Sequence, residues 1–265
     1  MQTAKKHKYC AKTQETEHSL RNATKTENEE SELKIADMNW MQVEERVTQD
    51  DRCILPIGSV EQHAYLSLAT DMILAEKVSA DAAEPLGIPV FPVLSYGLAS
   101  SFSAYPGTLT LSLSTYIGVI RDLLDSIYRS GFRRILVVNG HGGNMPATVV
   151  ISEWLNDHPD ASVKFHDWWR APNTLAKVQE VDPAASHASW MENFPWTRTT
   201  DQRQPTTSKP KIDFAALARV GATQKRELLG DGNYHGLYQR PDEDMLAIWD
   251  VAVAETRALL EDHWH

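Results

Sequence analysis

Apolar and polar positions alternate along this chain in two registers, one with a helical period and one continuous, and the two take turns. Residues 35–50 (IADMNWMQVEERVTQD) place Met38, Met41, Val43 and Val47 roughly on one side, which predicts a short helix. CILPIG (53–58) is a short apolar strand ending in glycine, and residues 71–87 return to helical spacing and stop at Gly87. IPVFPVL (88–94) reads as a second strand, interrupted by prolines and therefore placed near an edge or bend. A loop rich in glycine and serine leads to a well-formed amphipathic helix over 113–132, with Ser114 as its cap and Gly131 as its stop. RRILVVNG (133–140) is the clearest strand, its unbroken Ile-Leu-Val-Val run suiting a central parallel position. A helix over 146–159, a strand at SVKFHDWW (162–169) and a final helix over 242–263, packing through Leu246, Trp249, Val253 and Leu260, complete the regular elements. Residues 193–211, rich in Thr, Pro and Gln, read as a long site or interface loop.

Strands alternating with helices of this size imply βαβ units. The expected fold is α/β, a three-layer sandwich with a mostly parallel central sheet and helices on both faces. Ligand crevices in such sheets lie beyond the carboxyl ends of the strands. Residues 1–35 differ sharply from the rest: residues 1–33 are almost wholly polar and bury too little apolar surface to offset ordering. They are expected to be a disordered extension or an oligomer-contact arm, and 36–265 a single domain.

Composition narrows the function classes. A net charge of −10 with no visible basic face argues against nucleic-acid or anionic-membrane partners. No apolar run approaches the roughly 20 residues of a membrane-spanning helix, and no apolar segment follows the basic residues near the N-terminus. Two distant cysteines, Cys10 and Cys53, exclude a disulfide framework and fit a reducing, cytoplasmic compartment.

The chemistry sits at two of the expected strand ends. GSVEQHAYLSLATD (58–71) puts Glu61, His63 and Asp71 directly after a buried strand, where ionisable groups are costly without partners. Glu61 and His63, two apart in an extended segment, face the same side. Asp71 returns after a short loop and could bridge two metals through its two oxygens. NGHGGN delivers His141 after the strongest strand, with glycines that permit close backbone approach. SHASWMEN adds His187 and Glu192. Glu, His and Asp suit divalent Zn, Mn or Fe. Each motif alone has a bland reading: a tight turn at 141–144, a helix capped by Ser59, a satisfied core histidine. NGHGG without any GxSxG elbow does not make an esterase.

Taken together and in order, LPIGSVEQHA…ATD, AYPGTLTLS, VVNGHGGN and HASWME resemble the creatininase (creatinine amidohydrolase) family over roughly residues 40–260. The resemblance implies one or two divalent ions (Zn, Mn or Fe) held by Glu61, His63, Asp71 and His141, with Asp71 bridging. It also implies that Glu192 completes the second site, because Gly143 offers no carboxylate where other members have one. His187 becomes the candidate proton carrier, and Tyr65, Ser101, Phe102, Gly142, Gly143 and Trp190 the candidate substrate contacts, the backbone N–H groups of Gly142 and Gly143 stabilising an oxyanion. The implied activity is opening of a small cyclic substrate, or cleavage of an amide-type C–N bond, by a metal-activated water. Two alternatives stand beside it: ring-opening C–C hydrolysis of a cyclic polyol diketone, as in the family branch resembling 3-dehydro-scyllo-inosose hydrolase of inositol catabolism, and an inactive structural relative. A homo-oligomer, a hexamer by resemblance, is expected, with the tryptophan-rich stretch from Trp168 to Trp196 at an interface or walling the pocket. Three departures matter. EQHAYLSLATD is one residue shorter than the pattern of many members and lacks its second histidine, Phe102 stands where many members have histidine, and Ser189 replaces a glycine. The substrate-facing positions therefore differ from those of a creatinine-specific member.

Overall fold

The computed structural model describes residues 34–200, 202–262 and 264; the polar extension and Cys10 lie outside the described residues. Its centre is a parallel three-stranded sheet in the order β1 (Arg52–Ile57), β2 (Arg134–Asn139), β3 (Ser162–Asp167). Register is set residue for residue, with Ile57 beside Asn139 and Asn139 beside Asp167 at the carboxyl ends.

Strand alternation divides the core into two layers. Ile54, Leu136 and Val138 point to one face, where they meet α2 (Thr70–Ala83), α5 (Pro172–Val181) and α8 (Asp242–Glu261). Cys53, Leu55, Ile57, Ile135 and Val137 point to the other, packing on α3 (Leu113–Arg129) and α4 (Ala147–Asp157), while Val43 and Val47 of α1 (Trp40–Gln49) border that cluster. Apart from Asn139 at the end of β2, the residues that β1 and β2 bury on both faces are apolar, which is why these strands read as continuous runs and not as alternating ones. The three-layer α/β architecture is the one the sequence pattern implies.

Four local expectations are corrected. Residues 88–94 form no named strand; they run beside β1 through isolated bridges at Val90 and Leu94. Phe91 and Leu94 donate their N–H groups to β1, whereas Pro92 has none to give, so the ladder cannot become regular. The cap of α3 is Ser112, whose hydroxyl accepts from the Thr115 N–H; Ser114 is already inside the helix. Helix α1 starts at Trp40, where Asn39 and Gln42 form a capping box, which leaves Met38 outside it and Met41 exposed. The packed face of α8 is Met245, Ile248, Trp249, Ala252, Thr256 and Leu260; Leu246 faces outward. At 3.6 residues per turn Leu246 lies about 100° around the helix from Met245, which turns it off the packed stripe.

The tryptophans from Trp168 to Trp196 are not an exposed stretch. Trp168 and Trp190 are buried in the first core cluster, and Trp169 and Trp196 are half-buried. Between α5 and α8 the chain is largely irregular, with two short helices, α6 (Phe214–Leu217) and α7 (Ala222–Leu229). No helix among the described residues is long and apolar enough to cross a membrane.

Candidate metal centre

At the carboxyl ends of β1 and β2 the backbone has to leave a crowded layer quickly. Gly140 follows β2 so closely against α2 that a Cβ there would lie 2.3 Å from the Asp71 carbonyl oxygen. This close approach brings the 140–144 turn and the first turn of α2 together, and with them His141 and Asp71. Asp71 sits in that first helical turn, where the positive end of the helix favours a carboxylate. Glu61 and His63 arrive on the irregular segment that follows β1, and the peptide after them is strained. Ala64 takes φ +50°, a left-handed conformation in which side chains are disfavoured.

The result is a compact set of buried donors. Asp71 Oδ1 lies 3.0 Å from His63 Nε2, and Asp71 Oδ2 lies 3.0 Å from His141 Nδ1. Glu61 Oε1 is 3.2 Å from His141 Nδ1, and Glu192 Oε2 is 3.8 Å from His63 Nε2. Two donor sets emerge, Glu61–Asp71–His141 and His63–Asp71–Glu192, each with its atoms within 4.8 Å of one another. They share only Asp71, and they use its different oxygens. The other ring nitrogens are already engaged: His63 Nδ1 faces the Glu61 carbonyl at 3.1 Å and His141 Nε2 the Leu98 carbonyl at 3.1 Å. Ser59, read above as a possible helix cap, donates to Asp71 Oδ2 at 2.7 Å. Outer partners of this kind orient the ligands of a metal.

Electrostatics say the same. Burial raises the Glu61 carboxyl, against the pull of His141, and pushes Glu192 up to about 7. Burial opposes charge on His63 too, yet Asp71, Glu192 and Glu61 raise it to about 10, and Glu61 and Asp71 hold His141 well above its ordinary value. Asp71, despite its burial, is held well below the usual carboxylate range by His63 and His141. Three buried carboxylates thus call for positive charge at the points where the imidazole nitrogens converge. Glu61 Oε2 and His63 Nε2 also lack any hydrogen-bond partner, a costly state for buried polar atoms that coordination would relieve. The donor set fits divalent cations.

His187 belongs to a different environment. Gln62 Oε1 accepts from the Ala64 N–H, which leaves its amide nitrogen to donate to His187 Nε2 at 2.8 Å. The ring proton of neutral His187 is then on Nδ1, 3.8 Å from Glu61 Oε1. Burial and nearby His63 push this imidazole well below its ordinary pKa, and Phe102 stacks on it at 4.8 Å, nearly parallel. His187 can also be grouped with Glu61 and His63 as a donor.

Glu61, Asp71, His141 and His187 open into a cavity of about 430 Å³, whereas His63 lies behind them and does not line it. Ser101, Phe102, Gly142 and Gly143 line it, as does Glu192. Tyr65 and Trp190 do not. Tyr65 packs edge-on against Tyr238 at 5.5 Å, and Trp190 is fully buried with its indole N–H donated to the Ala184 carbonyl. Trp190 neighbours Glu192 in sequence, but in the tight 190–192 turn its ring points into the core while the carboxylate points out of it. Gly143 has no room for a side chain, since a Cβ would meet the Leu98 carbonyl oxygen at 2.2 Å and His141 Nε2 at 2.4 Å. A side chain at position 143 would thus clash in this turn, and the carboxylate that approaches His63 beside Asp71 is that of Glu192. Residues the sequence reading missed include Gln62, Arg170 and Tyr234. Gln62 stood in the EQH motif and was legible there; Arg170 and Tyr234 carry no local signal.

Three comparisons with known proteins bear on this site. The family model described as "Creatininase: Creatinine amidohydrolase" matches residues 36–194, which contain all five donors. A creatinine amidohydrolase of Pseudomonas putida is 33% identical over 118 residues, covering 42% of this chain and 45% of that protein. A mycofactocin precursor peptide peptidase of Mycolicibacterium smegmatis is 35% identical over 104 residues (36% and 40%), and a 3-dehydro-scyllo-inosose hydrolase of Thermotoga maritima is 24% identical over 146 residues (54% and 47%). The chain thus matches under half the length of these curated relatives. In fold, a crystal structure of creatininase superposes with a TM-score of 0.70 at 23% identity, covering 86% of this chain and 96% of that one. Creatininase structures described as Mn and as Zn–Zn type each give a TM-score of 0.69 at 24% and 23% identity, over 86% of this chain and 98% and 97% of theirs.

Proposed function

We propose that this chain, which belongs to the creatininase family, is a divalent-metal-dependent hydrolase that opens a small cyclic substrate or cleaves an amide-type C–N bond. The observation that carries the reading is Asp71, a buried carboxylate offering one oxygen to each of two donor sets. Glu61, Asp71 and His141 would hold one cation; His63, Asp71 and Glu192 the other. Zn, Mn and Fe all suit this mixture of imidazole and carboxylate. Bound there, the cations would supply Lewis-acid polarisation of a carbonyl and lower the pKa of a water toward neutrality.

The remaining work falls to the chain's own groups. His187, neutral with its ring proton on Nδ1, can take a second proton from the attacking water on Nε2, in place of the Gln62 hydrogen bond, and pass it to a leaving nitrogen. Its low basicity favours giving that proton up. Phe102 fixes the ring by stacking and keeps water from its face. The backbone of Gly142 and Gly143 borders the place where a carbonyl oxygen would gain charge.

A second reading keeps the site and changes the bond: ring-opening C–C hydrolysis of a cyclic polyol diketone. The hydroxyl-bearing side chains of Ser101, Ser186 and Tyr234 along the cavity favour it, as does the relative named 3-dehydro-scyllo-inosose hydrolase. An inactive structural relative is the least supported, because a decayed site would have lost a donor and none is missing. We further propose a cytoplasmic homo-oligomer, a hexamer by resemblance to the family, to be checked by light scattering at micromolar concentration.

Metal analysis after exhaustive dialysis, followed by turnover on a panel of cyclic amides against cyclic diketones, tests these readings. One to two retained divalent ions with C–N turnover are expected. Ring-ketone turnover alone would transfer the proposal to the C–C reaction, and a protein that retains no metal and turns over nothing would sink both.

A further inference from the structure

We infer that Arg170 receives a carboxylate of the substrate, so that the enzyme acts on an acid-bearing amide and not on a neutral ring. The inference rests on the hydrolase reading above and deepens it. Arg170 ends the short turn directly after β3 and lines the same cavity as Glu61, Asp71 and Glu192. Histidines apart, it is the one cationic side chain lining that cavity among the described residues.

Its guanidinium is held by one edge. Nε and Nη2 both donate to Asp167 Oδ2, at 2.8 and 2.5 Å, and Nη2 also meets Met145 Sδ at 3.1 Å, while Nη1 has no hydrogen-bond partner among the described residues. Asp167 is itself fixed, because Asn139 donates to its Oδ1 at 2.7 Å. The same amide nitrogen reaches the His141 carbonyl at 2.8 Å, and Asn139 Oδ1 accepts from the His141 N–H. The arginine is thus anchored to the framework that positions a metal donor. A planar fork with one edge tied and a nitrogen free is prepared for carboxylate recognition with little further ordering.

A purely structural role explains this arrangement poorly. The Arg170 side chain is 48% exposed, and an ion pair so open to water adds little to stability. Trp169 and Leu175 give the cavity an apolar border beside the guanidinium, suited to the carbon skeleton next to an acid group. When two divalent cations are bound, they outweigh the three carboxylates, and the cavity turns positive within an acidic protein.

The test is calorimetric binding to the metal-loaded protein of two matched pairs: 5-oxoproline against its carboxamide, and N-acetylglycine against its carboxamide. The first pair is cyclic and the second linear, so the pair that responds tells which skeleton the acid group belongs to. In the unaltered protein the acid of at least one pair should bind about 10- to 100-fold tighter than its amide, the usual worth of a charged hydrogen bond. Arg170→Gln should reduce that preference to about 2-fold or less with metal content and melting temperature unchanged, and Arg170→Lys should keep part of it. Acids that bind no tighter than their amides, or do not bind, overturn the inference. So does a preference that survives Arg170→Gln, since the anion would then sit on the cations. Loss of metal from the unaltered protein would overturn the hydrolase reading, while the acid preference and its loss in Arg170→Gln still decide the inference.

Discussion

The cavity has one wall made by the sheet ends, residues 58–71 and 139–144, and another made by residues 184–237, and they hold their side chains differently. On the sheet side, Glu61, Asp71 and His141 are fixed by close backbone packing, and Asn144 ties three segments at once through Gly58, Leu98 and Asn139. On the other side the segments bearing His187, Glu192 and Tyr234 lie outside any strand or α-helix, and position comes from hydrogen bonds that replace a ladder. Ser186, Asn233 and His235 brace one another, the Tyr234 N–H donates to the His187 carbonyl, and Ala188 takes φ +57° while its N–H caps the Glu192 carboxylate at 2.6 Å. Two of the three carboxylates, Glu61 and Asp71, lie on the sheet wall, and the proposed proton carrier His187 on the other. If the cations bind as proposed, a site divided this way could keep them while its substrate changes.

The sharpest way to break that division is Asp71→Ala, which removes the only donor common to both sets. We expect both cations to be lost and hydrolysis with them; a variant that keeps two ions by elemental analysis would show that Asp71 does not bridge. His187→Ala should separate the walls, with metal content kept while kcat falls by about 10²–10⁴-fold, the usual worth of acid–base catalysis. Loss of metal and rate together would move His187 into the donor set. Ser59→Ala touches only the outer partner of Asp71 and should weaken metal affinity about 10–100-fold, read by competition with a chelator, without altering the fold. Smallest of all, Ala64→Gly relieves the left-handed strain beside His63. It should raise stability by about 0.5–1 kcal/mol in thermal melts, net of the extra freedom glycine gives the unfolded chain. An unchanged or lowered melting temperature would mean that the strain is absorbed elsewhere.

How much of this was readable beforehand follows the same line. The parallel sheet and the donors at its ends were legible because buried strands leave continuous apolar runs, and because Glu61, His63, Asp71 and His141 follow such runs directly. The opposite wall was legible only as motif. HASWME announced His187 and Glu192 but misplaced Trp190, whose direction depends on a three-residue turn that no periodicity encodes. Tyr234 was invisible, since it reaches the cavity through contacts distant in sequence, and Arg170 belongs to no motif, although it pairs with Asp167 three residues before it at the end of β3. Helix faces failed by one position at Leu246 and one cap at Ser114, where neighbouring residues compete with nearly equal local preference and tertiary packing decides.

The proline-broken segment beside β1 has a consequence for how copies of this chain can meet. A parallel sheet that ended on a straight, donor-rich strand would invite another chain to add a strand of its own. Here that margin is occupied by residues 88–94, with Lys34 bridged to Val90 outside them and Pro92 unable to donate. Backbone pairing is blocked at Val90 and Pro92, so a second copy meeting this margin there would be held by side chains. The geometry of such a contact should then respond to surface substitutions and not to the sheet register.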